Sequence, residues 1–193
     1  GWPGPILTDS GGFQTFSLGR LQKVSEEGVL FRSHIDGGER FLSPEMSIEY
    51  QSLLGADIAM VLDECPPYGL EEAQVHLAMD RTHRWARRCK EAHRREGQAL
   101  FAIVQGGVST AMRLESAATL VSIEFDGYAV GGLSVGEPKA TMYSMTALLG
   151  KTLPQDKPRY LMGVGSPEDL VECVAHGMAL IDSALPTRVA RNG

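Results

Sequence analysis

The sequence predicts an α/β fold built on a parallel sheet, and three observations carry that prediction. Short apolar runs alternate with helical segments six times along the 193 residues. The runs are continuously apolar rather than alternating, so both faces of each strand are expected to be buried. The distinctive polar residues fall just after these runs, at the C-terminal ends of the strands, where α/β barrels place their functional groups. The length suits one core and one domain spanning residues 1–193.

Pro5 to Thr8 reads as the first strand. Asp9-Ser10-Gly11-Gly12 is then a tight loop whose adjacent glycines admit a ligand close to backbone N–H groups. From Lys23 to Leu42 apolar and polar residues alternate, and Ile35-Asp36-Gly37-Gly38-Glu39 reads as a turn. An antiparallel β-hairpin insertion near residues 23–42, outside the main sheet, is expected. Ser43 caps a helix with Pro44 at its first position, and Gly55 closes it after Leu54.

Asp57 to Leu62 is a buried strand followed by Asp63-Glu64-Cys65. The next helix, about Leu70 to Glu96, carries Arg81, Arg84, Arg87, Arg88, Lys90, Arg94 and Arg95. Two readings stand for this basic set: a solvated face, or a contact with an RNA backbone. Leu100 to Val104 is a strand ending at Gln105-Gly106-Gly107, and Thr110 to Ser122 is helical. Gly127 to Val130 is a strand ending in Gly131-Gly132-Leu133, and Pro138 to Leu149 is helical. Arg159 to Met162 is a strand leading to Gly163-Val164-Gly165, and Ser166-Pro167-Glu168-Asp169 caps a helix to about His176. The last apolar run, Met178 to Ile181, ends in Asp182, with Pro186, Arg188 and Arg191 beyond it. Asp182 is either a functional acid at a strand end or an N-cap beside arginines on a solvated loop.

Composition and missing motifs narrow the function. With 43% hydrophobic and 22% charged residues the chain belongs with soluble globular proteins. No apolar run approaches the roughly 20 residues that span a membrane, and no signal peptide is present, so a cytoplasmic location is expected. The cysteines Cys65, Cys89 and Cys173 have no CxxC spacing and read as free thiols, with no metal site expected in this chain. Neither GxGxxG nor GxxxxGK[ST] occurs, which counts against dinucleotide and P-loop sites. A net charge of -6 argues against broad nucleic-acid affinity, although local clusters overrule a global sum. The chain opens without Met and stops at Asn192-Gly193, a turn signal that normally leads into another strand, so a fragment of a longer chain is expected.

Asp9, Asp63, Gln105, the Gly131-Gly132 backbone and Asp182 would meet at one rim. Two carboxylates facing one sugar carbon can divide glycosidic exchange into two displacements, one attacking and one moving protons. A third carboxylate beside a glutamine and backbone N–H groups complements a guanine-like edge, which shows two N–H donors and one carbonyl. The chemistry suggested is glycosyl transfer at a purine.

At this point the chain resembles the tRNA-guanine transglycosylases, or queuine tRNA-ribosyltransferases. The matching stretches are Leu7 to Gln14, Asp63-Glu64-Cys65, Val104-Gln105-Gly106, Gly127 to Leu133 with Val135-Gly136-Glu137-Pro138, Tyr160 to Gly165, and Leu185 to Arg188 with Arg191-Asn192-Gly193. They run through nearly the whole chain. The resemblance implies a (β/α)8 TIM barrel, present here as a partial barrel of about six βα units, strands 2–7. The first and eighth strands and a C-terminal zinc subdomain would lie outside this chain, so structural zinc is expected of the full-length protein with its ligands elsewhere.

The resemblance also implies roles. Asp182 would be the nucleophile toward C1′ of nucleotide 34 in tRNA, and Asp9 the general acid/base and proton acceptor. Asp9, Ser10, Gly11, Gly12, Phe13, Asp63, Gln105, Gly132, Leu133 and Met162 would bind the base, with Phe13 and Met162 on its two faces. Gly163, Val164, Gly165, Ser166, Pro167, Glu168, Asp169, Thr187, Arg188, Val189, Ala190 and Arg191 would contact the anticodon loop. The expected partners are a tRNA with a GUN anticodon and a 7-deazaguanine base, in queuosine biosynthesis, with a homodimer and no membrane.

Val135 and Cys65 resemble the bacterial members, which implies 7-aminomethyl-7-deazaguanine (preQ1) as the incoming base. Two departures from the usual family pattern are Ala179, where many members carry an acid, and Ser183, where they usually carry Cys. Two alternatives differ in class: a non-catalytic tRNA-binding partner subunit of the same family, and a TIM-barrel glycosidase acting on small sugars.

Overall fold

Five of the apolar runs pair side by side as parallel strands in a computed structural model, which describes residues 2–14 and 22–192. In chain order the strands are β1 (Gln22–Val24), β2 (Val29–Arg32), β3 (Glu39–Leu42), β4 (Ile58–Met60), β5 (Ala99–Val104), β6 (Gly127–Val130), β7 (Arg159–Leu161) and β8 (Leu180–Ile181). The helices are α1 (Pro44–Leu54), α2 (Glu72–Ala92), α3 (Thr110–Ile123), α4 (Lys139–Thr152), α5 (Pro167–Ala175) and α6 (Leu185–Asn192). The sheet order β4-β5-β6-β7-β8 follows the chain, with one helix between successive strands, so the sheet curls as a half-barrel.

Continuous apolarity does set both-face burial. Ala102, Ile103 and Val104 of β5, Ala129 and Val130 of β6, and Ala59 and Met60 of β4 are fully buried. The helix caps read from sequence are also formed. Ser43 accepts from Met46 N at the start of α1, and Gly55 closes it in the left-handed region at φ 77°. Ser166 forms a full capping box with Asp169 on α5; Ser109, which the sequence reading did not single out, caps α3.

Four expectations are corrected. The run Pro5 to Thr8 is not a full strand; Leu7 makes a single parallel bridge to Ile58. The reason lies across the gap, where Gln51 of α1 takes the place of a neighbouring strand. Its amide donates to Met60 O at 2.8 Å and accepts from Met60 N at 2.8 Å. The insertion is a three-stranded antiparallel sheet, β1-β2-β3, rather than a hairpin alone. Its β2–β3 turn falls where Gly37 and Asp36 predict it, with Gly37 at φ 69°. The helix α2 stops at Ala92, short of Glu96. Leu185–Asn192 forms helix α6 rather than a loop; the Asn192-Gly193 turn signal includes Gly193, which, like Gly1, lies outside the described residues.

Part of the basic face of α2, Arg81, Arg84 and Arg88, is tied to neighbouring acids. Arg84 grips the Glu26 carboxylate at 2.6 and 2.9 Å. Arg88 pairs with Glu45 at 2.7 and 2.8 Å and also donates to Glu26 O. Arg81 pairs with Glu64, and Trp85 Nε1 donates to Glu26 O at 2.9 Å. These contacts clamp the β1–β2 turn against α2, which disfavours the reading of this face as a contact with RNA.

Replacing Gln51 with Leu should keep the volume but leave Met60 N–H and C=O unpaired. Each unpaired buried group costs about 1–3 kcal/mol, so urea unfolding of the full-length protein should show a clear loss. A loss below about 0.5 kcal/mol would remove Gln51 from this role.

Candidate active site

Asp63 lies three residues beyond the end of β4 and its carboxyl is buried. The amide of Gln105, which follows β5, donates from Nε2 to Asp63 Oδ2 at 2.6 Å. Gln105 Oε1 is buried without a hydrogen-bond partner among the described residues. Burial, with the nearby Asp9 charge adding to it, pushes the Asp63 carboxyl up to about 7, against the Gln105 hydrogen bond. The backbone closes around this pair. A Cβ on Gly12 would stand 2.6 Å from Asp63 O, and one on Gly132 2.3 Å from Gln105 Oε1. Gly132 also holds φ at 62°, so it is required for both space and conformation. Cys65 lies at the same wall, facing the Gln105 side chain and the Gly132 N–H; burial pushes its thiol up to about 12.

Asp182 stands immediately after β8 and is exposed. One of its oxygens, Oδ1, accepts from both the Tyr160 hydroxyl and the Gly163 N–H, each at 2.7 Å. Oδ2 has no hydrogen-bond partner among the described residues. Burial, with the Asp182 hydrogen bond and charge adding to it, pushes the Tyr160 hydroxyl far above its ordinary range, so it stays a donor. The Asp9 charge reaches Tyr160 as well as Asp63, which places Asp9 between the two ends of the rim. Asp9 accepts from Ser10 N and from Gln14 Nε2, both at 2.7 Å. A cavity of about 350 Å³ opens beside Asp9, between the insertion and α1, lined by Gln14, Phe31, His34 and Tyr50 among others.

The remaining rim residues divide by exposure. Ser10 and Leu133 are buried, Gly11 and Met162 half-buried, and Phe13 is exposed at the tip of the first loop. The loop after β6 is stiffened by Glu137, whose carboxylate accepts from Ser134 N and from Val135 N. Of the set expected to meet RNA, Gly163, Pro167 and Glu168 are exposed, Gly165 and Ser166 half-buried and Val164 buried. The Asp169 carboxylate is buried and fully engaged by Tyr143 Oη at 2.6 Å, Lys139 Nζ at 2.9 Å and Ser166 N at 3.0 Å. Burial raises this group, but those hydrogen bonds outweigh it and hold it well below the usual carboxylate range. Thr187, Arg188, Val189, Ala190 and Arg191 lie on α6, which is exposed along its length.

Comparison with known proteins now bears on this rim. All 193 residues match the family model described as queuine tRNA-ribosyltransferase. The chain belongs to the queuine tRNA-ribosyltransferase family. It is 61% identical over 192 residues to the protein of that name from Pelotomaculum thermopropionicum, covering all of this chain and 52% of the relative. It is 58% identical to that of Desulforamulus reducens, again over 52% of the relative, and 58% identical to that of Staphylococcus epidermidis, over 51%. The chain thus spans about half the length of the curated relatives it matches.

Within the family frame, the two departures from pattern have places. Ala179 is exposed, and its N–H donates to Arg159 O. Ser183 Oγ accepts from Leu185 N at the start of α6 and packs where a Cβ on Gly165 would fall. The cysteines are dispersed: Cys65 sits in the base wall, Cys89 beneath α2 with Leu62 N donating to its sulfur, and Cys173 in α5. None provides a zinc ligand set, and no step below is routed through a metal. His76, Asp80 and Glu115 cluster on the outer faces of α2 and α3. The two ring nitrogens of His76 face different carboxylates there, Nδ1 toward Asp80 and Nε2 toward Glu115, which is the arrangement of an ion-pair clip.

Two supports of the site were missed in the sequence, Arg113 and the pair His83–Ser116. Ser116 Oγ accepts from Gln105 N at 3.3 Å and is hydrogen-bonded to His83 Nε2 at 2.9 Å. Burial pulls the His83 imidazole down to about 4, so it is neutral at pH 7. The available signal was a lone arginine on the buried face of α3, among Met112, Ser116, Ala117 and Leu120.

The raised Asp63 pKa has a sign that can be checked. The folded protein retains a proton on Asp63 that the unfolded chain has lost between pH 3.8 and about 7. Stability from this group therefore falls as pH rises through that window. Asp63→Asn cannot ionise, so thermal unfolding of the full-length protein should show the variant gaining on the parent from pH 4 to pH 8. A constant difference between the two across that range would contradict the burial argument.

Proposed function

We propose that this chain is the catalytic part of a transferase that exchanges guanine at position 34 of tRNA for a 7-deazaguanine base. The observation that carries the proposal is the Asp182 carboxylate, with one oxygen pinned by Tyr160 and Gly163 and the other open, on the same rim as the Asp63–Gln105–Gly132 wall. A pinned carboxylate loses little freedom when it attacks, and the attack needs a free oxygen at a sugar carbon.

The steps follow from these positions. The wall receives the flipped guanine: ionised Asp63 accepts from its two N–H donors, while the second Gln105 N–H and the Gly132 N–H serve its carbonyl. Asp182 Oδ2 attacks C1′ of the ribose as the C1′–N9 bond breaks, giving a ribosyl ester, and the departing base takes a proton at the Asp9 end. The incoming base loses its N9 proton to Asp9 and attacks C1′, which releases Asp182. The exposed α6, with Arg188 and Arg191 free of ion pairs among the described residues, supports a contact with the anticodon-loop phosphates.

The reading that the base is preQ1 rests on the resemblance at Val135, whose branched side chain would take up space that a larger base needs. The (β/α)8 closure, the zinc site, the homodimer and the cytoplasmic location of the full-length protein are part of the same proposal and rest on the resemblance alone. Among the described residues no helix is long and apolar enough to cross a membrane.

In the full-length enzyme, Asp182→Ala should abolish base exchange while tRNA is still bound. A denaturing gel run with a guanine-analogue inhibitor should show an enzyme–RNA adduct for the parent and none for the variant; an adduct that persists assigns the nucleophile elsewhere. In competition on an anticodon stem-loop, the parent should incorporate preQ1 ahead of queuine, and Val135→Gly should narrow that preference. Equal use of both bases by the parent would defeat the assignment of preQ1.

A further inference from the structure

Arg113 lies on α3 and is completely buried, yet among the described residues no carboxylate pairs with it. Its guanidinium is spent on backbone carbonyls. Nε donates to Gly107 O at 2.8 Å, one terminal nitrogen to Val104 O and Gly131 O at 2.8 Å each, and the other to Gly132 O at 3.3 Å. These carbonyls belong to two separate loops, the one after β5 that carries Gln105 and the one after β6 that carries Gly132 and Leu133. Burial lowers the guanidinium only to about 10, so it remains charged at neutral pH.

Peptide geometry gives this grip a direction. In a planar trans peptide the C=O and the next residue's N–H point opposite ways. Holding Gly131 O and Gly132 O on the α3 side therefore turns the N–H of Gly132 and of Leu133 away from α3. The Gly132 N–H accordingly faces the Cys65 thiol at the base wall. A lysine has one nitrogen and cannot span this fan of acceptors, whereas the planar fork of arginine can.

We propose that Arg113 is the positioning residue of the base-recognition wall: it orients the Gly132 and Leu133 amides and fixes the Gln105 loop against them. It touches neither tRNA nor the ribose carbon, and it acts through groups that contact the base. The inference rests on the reading of this rim as a purine site. It predicts a defect confined to the base and separable from attack at C1′.

The test uses full-length enzyme with Arg113→Lys and Arg113→Gln. The KM for free guanine or preQ1 should rise at least about tenfold in both, with the KM for tRNA within about twofold of the parent. Direct binding of guanine, followed by calorimetry, should weaken in parallel. A folded variant with an unaltered base KM overturns the proposal, and so does full rescue by Lys, which would reduce the role to charge. If both variants unfold, hydrogen exchange on the unaltered enzyme decides. Residues 104–107 and 131–133 should exchange more slowly than the rim loop 162–166, and fast exchange there overturns the grip. Failure of the parent itself to exchange bases would instead refute the proposed function, so the two failures are distinguishable.

Discussion

The rim is organised by the contact between Asp63 and Gln105. Two polar side chains from neighbouring strand ends meet at 2.6 Å inside the protein and leave no room for other side chains around them. Gly12, Gly131 and Gly132 follow from that crowding. A Cβ on Gly131 would lie 2.9 Å from Gln105 Nε2, and one on Gly132 closer still to Oε1. Two backbone segments can therefore approach the pair, and each brings peptide groups where side chains would have stood. The cost is a carboxyl buried against its preference and an amide oxygen left without a partner. A structure optimised for stability alone would remove both, so their retention fits a ligand that completes the hydrogen bonding.

The scaffold around the rim solves a different problem, that of holding loops without strands. Gln51 completes the backbone of Met60 where the Leu7 segment pulls away, and Arg113 does the same for four carbonyls between β5 and β6. Both are long polar side chains on the buried faces of helices, used as extensions of the sheet's own hydrogen bonding. The arginines of α2 act at the surface in the same spirit. They fasten the insertion through Glu26 and helix α1 through Glu45 with paired, bidentate geometry. Their charge is spent locally, which leaves α6 as the exposed basic element beside Asp182.

Much of this was legible in the sequence because it depends on local rules. Apolar runs such as Leu100 to Val104 cannot be half-exposed strands, and Ser43-Pro44 and Ser166-Pro167 announce helix starts through side-chain geometry that spans three residues. Asp63, Gln105 and Asp182 could be picked out because each follows such a run. What escaped was long-range. The sequence of Pro5 to Thr8 is as strand-like as the others, but its pairing is decided by Gln51, 43 residues from Thr8. The first strand of the insertion, Gln22–Val24, is too short to show a period. Arg113 looked like any helix arginine because its partners are carbonyl oxygens, which carry no sequence signature. Helix α6 was hidden by Pro186 and Asn192, residues that favour turns but are tolerated at helix ends.

Asp63 and Asp182 show how one fold separates two tasks between identical side chains. Asp63 is enclosed, and its charge is made costly by burial and by Asp9. Such a group changes its protonation easily and suits reading a ligand that brings its own N–H donors. Asp182 is exposed and steadied at one oxygen by a hydroxyl and a backbone N–H. Its other oxygen stays available without the penalty of desolvation. The difference arises from what covers each strand end: Gly12 and Gln105 close over Asp63, while Asp182 after β8 is left exposed. Environment, rather than residue type, sets the two carboxylates apart, and the proposed division into recognition and attack follows that difference. The Asp9 charge acts on both Asp63 and Tyr160, in keeping with the proton-transfer role proposed for it.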